Sequence, residues 1–136
     1  MIIGIGTDLC DIRRIESLLA KFGERFPRKA FTEGERARSD ASSTRASSYA
    51  KRFAAKEATA KALAGSHTGA LSWHDVEVVN HPSGKPEIIL HGGALKRIEA
   101  QVEDGQSWNI HLSLTDDYPY AQAFVIIEAF VILEIL

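Results

Sequence analysis

The stretch Lys51-Arg52-Phe53-Ala54-Ala55-Lys56-Glu57-Ala58-Thr59-Ala60-Lys61-Ala62-Leu63 is dominated by Ala, Lys, Glu and Leu and contains no Gly or Pro. It reads as a helix, because those residues lose little on entering one. The period predicts a helix from about Ala46 to Ala64, stopped by Gly65. Phe53, Glu57 and Lys61 recur four apart and so share one face. A carboxylate and an ammonium beside an aromatic on a rigid helix suit a site for a metal ion and a phosphate. The same spacing also suits an ordinary surface ion pair, worth about 0.3–0.5 kcal/mol. The helix alone does not choose between them.

The N-terminus narrows the choice. Met1-Ile2-Ile3-Gly4-Ile5-Gly6-Thr7-Asp8-Leu9-Cys10-Asp11-Ile12 looks like a strand over residues 2–8 running into a helix that Asp11 caps. Gly4 and Gly6 allow another backbone to come close. Asp8 lies near the strand end. A carboxylate there and one on a helix can jointly hold Mg²⁺, which takes hard oxygen ligands and completes its shell with phosphates. A turn or cap role for Asp8 stays open at this point.

Further elements follow from period and punctuation. A helix is expected from about Ile12 to Phe22, with Ile12, Ile15, Leu19 and Phe22 as its core stripe. Thr32 and Glu35 have the spacing of a capping box. Ser39 to Ser48 is Ser- and Ala-rich, without clear period, and reads as a mobile connection. Strands at Val76–Asn80 and Glu87–Leu90 flank the turn His81-Pro82-Ser83-Gly84-Lys85-Pro86. Gly92–Val102 reads as a helix with Leu95, Ile98 and Val102 on one side. Asn109–Thr115 and Gln122–Glu128 read as antiparallel strands. The apolar run Phe124–Leu136 is too short to span a bilayer and reads as a buried strand.

At 136 residues the length suits one domain. The lone cysteine, Cys10, has no intrachain partner and fits a reducing, cytoplasmic setting. Asp8 and Asp11 interrupt the N-terminal apolar run, so no signal peptide is expected, nor a membrane association. Charge is uneven: residues 1–61 sum to +5 and residues 62–136 to −7. The basic half holds the candidate site, which suits phosphate-bearing ligands and an acidic protein partner. Nucleic acid competes for the same charge, but the basic half has no nucleic-acid-binding motif. Arg14, Leu18, Lys21 and Arg25 form a basic stripe with one apolar residue, opposite Ile15, Leu19 and Phe22. Such a stripe suits docking on an acidic helix, and Arg28 and Lys29 extend it.

Four segments taken together resemble the holo-[acyl-carrier-protein] synthase family of 4′-phosphopantetheinyl transferases. They are Gly4-Ile5-Gly6-Thr7-Asp8, Arg52-Phe53-Ala54-Ala55-Lys56-Glu57-Ala58, Ser83-Gly84-Lys85-Pro86 and His111-Leu112-Ser113-Leu114-Thr115-Asp116. The set falls in the family's order and covers most of residues 1–129. Residues 131–136 lie outside it. The resemblance implies an α+β fold in which an antiparallel sheet packs with one long helix and several shorter ones. It implies transfer of 4′-phosphopantetheine from coenzyme A to a serine of apo acyl carrier protein, with release of 3′,5′-ADP and a place in fatty-acid biosynthesis. It further implies Mg²⁺ on Asp8 and Glu57, and phosphate contact by Lys61. His111 is implied beside the pantetheine, Arg52 near the nucleotide phosphates, and Gly84, Lys85 and Pro86 along coenzyme A. Thr115 and Ser113 share the strand face of His111 and offer hydroxyls to phosphate. The resemblance places carrier protein on the Arg14 stripe and makes the assembly a homotrimer with sites between subunits. His67 is in a loop that the nucleotide could reach. Glu35, Asp116 and a metal-bound water all remain open as the base for the acceptor serine. Two other readings stand beside the enzyme: a coenzyme A-binding regulatory module and a structural oligomerisation domain.

Overall fold

The computed structural model describes residues 1–65 and 71–133. His67 therefore lies outside the described residues, as do residues 134–136 of the C-terminal extension. The chain runs β1 (Ile2–Asp11), α1 (Ile12–Phe22), α2 (Arg25–Ala30), α3 (Glu33–Asp40) and α4 (Arg45–Ala62). After a single 3₁₀ turn at Trp73–Asp75 come β2 (Val76–Asn80), β3 (Pro86–Leu90), α5 (Gly92–Gln101), β4 (Gln106–Asp117) and β5 (Tyr120–Val131). The expected elements are present, and β1, β4 and β5 run longer than the sequence pattern indicated.

Local chemistry sets the boundaries. Asp11 caps α1 by accepting from the Arg13 N–H at 3.0 Å. Gly23 closes α1 with φ of +57°, a conformation that favours glycine. Thr32 and Glu35 form the expected capping box at the start of α3. Glu35 does more than cap. Its carboxylate pairs with Lys56 Nζ at 2.7 Å and accepts the Val78 N–H at 2.9 Å. Lys56 also donates to the carbonyls of Trp73 and Val76. This buried knot ties α3, α4 and β2 together; removing one partner would strand a charge at a cost of roughly 3–5 kcal/mol. Glu35 is sealed from solvent, which removes it as a base for an incoming serine.

β5 is the centre of a three-stranded antiparallel sheet, with β1 and β4 on either side. β2 and β3 form a separate hairpin. The inner face of β5 is Ala121, Ala123, Val125, Ile127 and Ala129, all buried. Helix α4 lies across this face and presents Ala54, Ala58 and Ala62. Small residues on both sides bring helix and sheet close. At Gly6, an added Cβ would stand 1.8 Å from the Ala58 carbonyl oxygen; at Gly4, 2.1 Å from that of Ala62.

Three expectations need correction. Phe22 is 37% exposed rather than in the core, because it is the last residue of α1 and borders Leu18. The Ser-rich segment is not a loose connection. α3 continues to Asp40, α4 begins at Arg45, and Ser39 and Ser48 are buried with their hydroxyls 2.8 Å apart. Small hydroxyl residues let the two helices meet there, a packing with no apolar period to announce it. The C-terminal run is not wholly buried either. Alternation puts Phe124 and Phe130 on the outer face at 42% and 40% exposure, and Ile132 and Leu133 lie past the strand in solvent.

The close approach predicts an outcome. Gly6→Ala should destabilise the fold by about 1–3 kcal/mol or more, because backbone rather than a flexible side chain meets the new methyl. Urea unfolding followed by circular dichroism checks this; an unchanged midpoint would contradict the contact.

Candidate active site

The approach of β1 to α4 places the first group of expected site residues together. Asp8 has the inward parity of Gly4, Gly6 and Cys10 on β1, so it faces α4. Asp8, Glu57 and Lys61 line one open cavity of about 500 Å³, with Cys10, Arg14 and Phe53. Lys61 Nζ lies 3.1 Å from Asp8 Oδ1 and 3.0 Å from the Thr7 carbonyl. Glu57 makes no hydrogen bond or ion pair among the described residues. Glu57 also lines a second cavity, of about 260 Å³, with Lys56, Ala60, Trp73 and Arg97. Beneath the carboxylates the Cys10 thiol is pushed up to about 11, first by burial and then by the negative charge of Asp8. It stays a protonated, inert side chain at neutral pH.

No group of three or more His, Cys, Asp or Glu side chains arranged for a metal occurs among the described residues. Asp11 also lines the cavity but is taken up by Arg13. That leaves Asp8 and Glu57 as hard donors with room beside them. That donor set fits Mg²⁺, which accepts one or two carboxylates and takes the remaining ligands from water and phosphate. It does not fit Zn²⁺, which prefers a closed set of nitrogen and sulfur ligands.

The second group lies elsewhere. Lys85, Pro86 and His111 line a cleft of about 340 Å³ with His81 and Asn109. His111 Nε2 is 2.8 Å from Glu128 Oε1, and that hydrogen bond holds the Glu128 carboxyl below its ordinary value. Gly84 stands in the turn at φ of +91°, with open space around it. Its role within the chain is therefore the turn itself. Thr115 and Ser113 share the exposed face of His111, as alternation predicts. Asp116 pairs with Lys51 at 3.3 Å.

The two groups sit on opposite faces of one sheet. Asp8 pairs with Ala123, an inward residue of β5. His111 pairs with Ile126, whose parity is outward. One chain therefore cannot bring its own His111 to its own Asp8. Arg52 belongs to neither group. Its guanidinium is buried, with its protonated form disfavoured by that burial, and it bonds Ser48 and Asn80 rather than lining either cleft.

The basic stripe opens onto a third cavity, an apolar groove of about 370 Å³. Arg14, Leu18 and Arg25 of the stripe line it together with Phe26 and Lys29, and so does Phe22, which the helical spacing puts on the opposite face. Lys21 stands outside the groove, its ammonium 5.2 Å from the Phe22 ring centre. Sequence reasoning missed Phe26 and Trp73, which are far apart in the chain and meet around Phe53; Phe53 and Trp73 stack at 4.9 Å. Arg14 and Phe53 line both this groove and the Asp8 cavity, so the two are adjacent.

The 4′-phosphopantetheinyl transferase superfamily model matches residues 4–123. The chain belongs to that superfamily, as an enzyme of the holo-[acyl-carrier-protein] synthase type. It is 62% identical over 129 residues to the holo-[acyl-carrier-protein] synthase of Caulobacter vibrioides, which covers 95% of this chain and 97% of that one. The fold is similar to the crystal structure of the enzyme from Neisseria meningitidis, with 39% identity, a TM-score of 0.79 and coverage of 94% and 99%. It is also similar to the Helicobacter pylori synthase in complex with coenzyme A, with 27% identity, a TM-score of 0.76 and coverage of 91% and 99%. Among the described residues no helix is long and apolar enough to cross a membrane.

Proposed function

We propose that this chain moves 4′-phosphopantetheine from coenzyme A to a serine hydroxyl of apo acyl carrier protein, with Mg²⁺, releasing 3′,5′-ADP. The observation that carries the reading is the convergence of Asp8, Glu57 and Lys61 from β1 and α4 on one open cavity. Transfer of a phosphoryl-type group needs positioning and charge neutralisation more than covalent help. Asp8 and Glu57 would hold Mg²⁺, which when bound offsets charge on the diphosphate. Lys61 is a mobile cation beside them and meets a phosphate oxygen. His111, from the outer face, donates a hydrogen bond to the phosphate region, with Glu128 orienting its ring. Lys85 meets the 3′-phosphate in the cleft it shares with Pro86 and His111.

The opposite facing of Asp8 and His111 supports a site shared between copies. Ile5, Leu9 and Phe124 leave an apolar outer sheet face, exposed at 57%, 61% and 42%. Packing three such faces about a three-fold axis covers them and brings one copy's His111 toward the next copy's Asp8. A homotrimer is the assembly this favours. A regulatory module that only binds coenzyme A would have no use for two carboxylates and a lysine gathered beside its ligand.

Incubation of the protein with coenzyme A, Mg²⁺ and apo acyl carrier protein tests the reaction. Intact mass spectrometry should show the carrier gaining one phosphopantetheine. Asp8→Ala and Glu57→Ala should each lower kcat/KM at least about a hundredfold, with unchanged circular dichroism. Full activity in either variant would remove the carboxylates from the site.

The groove beside the site reads as the carrier's seat. Arg14, Arg25 and Lys29 steer an acidic partner while Leu18, Phe22 and Phe26 anchor it. A carrier seated there would present its serine past Arg14 and Phe53. Arg25→Glu should raise the KM for carrier by about tenfold and flatten its salt dependence, leaving the KM for coenzyme A in place. Equal rises in both KM values would mean that this surface is not a separate docking face.

A further inference from the structure

A polar thread runs behind the coenzyme A cleft. It begins at Ser39 on α3, whose hydroxyl meets Ser48 on α4 at 2.8 Å. Arg52, one turn further along α4, donates through Nη1 to Ser48 Oγ at 3.0 Å and through Nη2 to Asn80 Oδ1 at 2.6 Å. Asn80, the last residue of β2, donates through Nδ2 to the Gly84 carbonyl at 3.0 Å. The next residue, Lys85, lines the cleft with His111.

The thread is costly for the fold. Arg52 is 4% exposed and pairs with no carboxylate among the described residues, since Glu35 pairs with Lys56. Its Nε is buried without a hydrogen-bond partner. A buried charge and an orphaned donor each work against stability. The hairpin does not need them to close, because His81 N–H donates to the Lys85 carbonyl at 2.9 Å and Gly84 N–H to the His81 carbonyl at 2.7 Å. The backbone thus closes the turn, and the Arg52–Asn80 thread fixes where the closed turn points. An amide suits the middle of such a thread, since it accepts on one side and donates on the other.

We propose that Asn80 is a positioning residue for the nucleotide end of coenzyme A: held by the buried Arg52, it fixes the Gly84 carbonyl and so aims Lys85 at the 3′-phosphate. This rests on the reading that Lys85 meets that phosphate. Arg52 then acts from behind the cleft, and Ser48 and Ser39 hold its guanidinium in place.

Asn80→Ala removes both links, whereas Asn80→Asp keeps the acceptor for Arg52 and loses the donor to Gly84. Both variants should raise the KM for coenzyme A about fivefold with kcat retained, the loss expected for one hydrogen bond. A merely structural role would lower the denaturation midpoint and the active fraction, seen in kcat, and leave KM alone. Wild-type KM in Asn80→Asp would overturn the link to Gly84. The second readout is the preference for coenzyme A over 3′-dephospho-coenzyme A. Lys85→Ala should erase that preference and Asn80→Asp should reduce it. If Lys85→Ala erases it and Asn80→Asp leaves it whole, the positioning role is overturned and the Lys85 reading stands. If Lys85→Ala leaves the preference whole, the Lys85 reading falls and the proposal falls with it.

Discussion

The architecture depends on how close β1 can come to α4. Gly4 and Gly6 carry no Cβ to meet the Ala62 and Ala58 carbonyls, and Ala58 and Ala62 are themselves small. That contact does two jobs. It seals the inner face of β5 without bulky side chains, and it carries Asp8 to the part of α4 that bears Glu57 and Lys61. The proposed site residues stand on a strand and a helix that are fixed by packing, so their backbone positions are set before substrate arrives. The buried Lys56–Glu35 pair holds the other side of α4 against α3 and β2, so the helix is fixed from both directions.

Much of this was legible before any coordinates. The four-residue spacing of Phe53, Glu57 and Lys61 named the helix face that lines the cavity, and the glycine pair named the strand that could approach it. Asp11, Thr32 and Glu35 announced their caps because capping is local chemistry. What stayed hidden depended on cover from distant residues. A sequence displays the charge of Arg52 and Lys56 but not what closes over them, and both proved to be buried. Ser39 and Ser48 looked like linker residues because hydroxyls carry no apolar period, yet they fill a helix–helix contact. The groove around Phe26, Phe53 and Trp73 joins segments that no local pattern links.

Strand parity was readable within each strand but not between strands. His111, Ser113 and Thr115 share a face by alternation alone, and so do Gly4, Gly6, Asp8 and Cys10. Only the pairing of each strand with β5 reveals that these are opposite faces. Under the proposed shared site, that relation would give assembly its functional meaning. A chain with its carboxylates on one face and its histidine on the other would hold half a site at each, and in a three-fold ring each half would be completed by a different neighbour.

Mixing two inactive variants tests this division most directly. Asp8→Ala and His111→Ala chains, unfolded together and refolded as mixed assemblies, form some interfaces in which an intact Asp8 faces an intact His111. About one site in four should then regain activity in an equal mixture, while each variant refolded alone stays inactive. A mixture no more active than its separate components would contradict a site shared between copies.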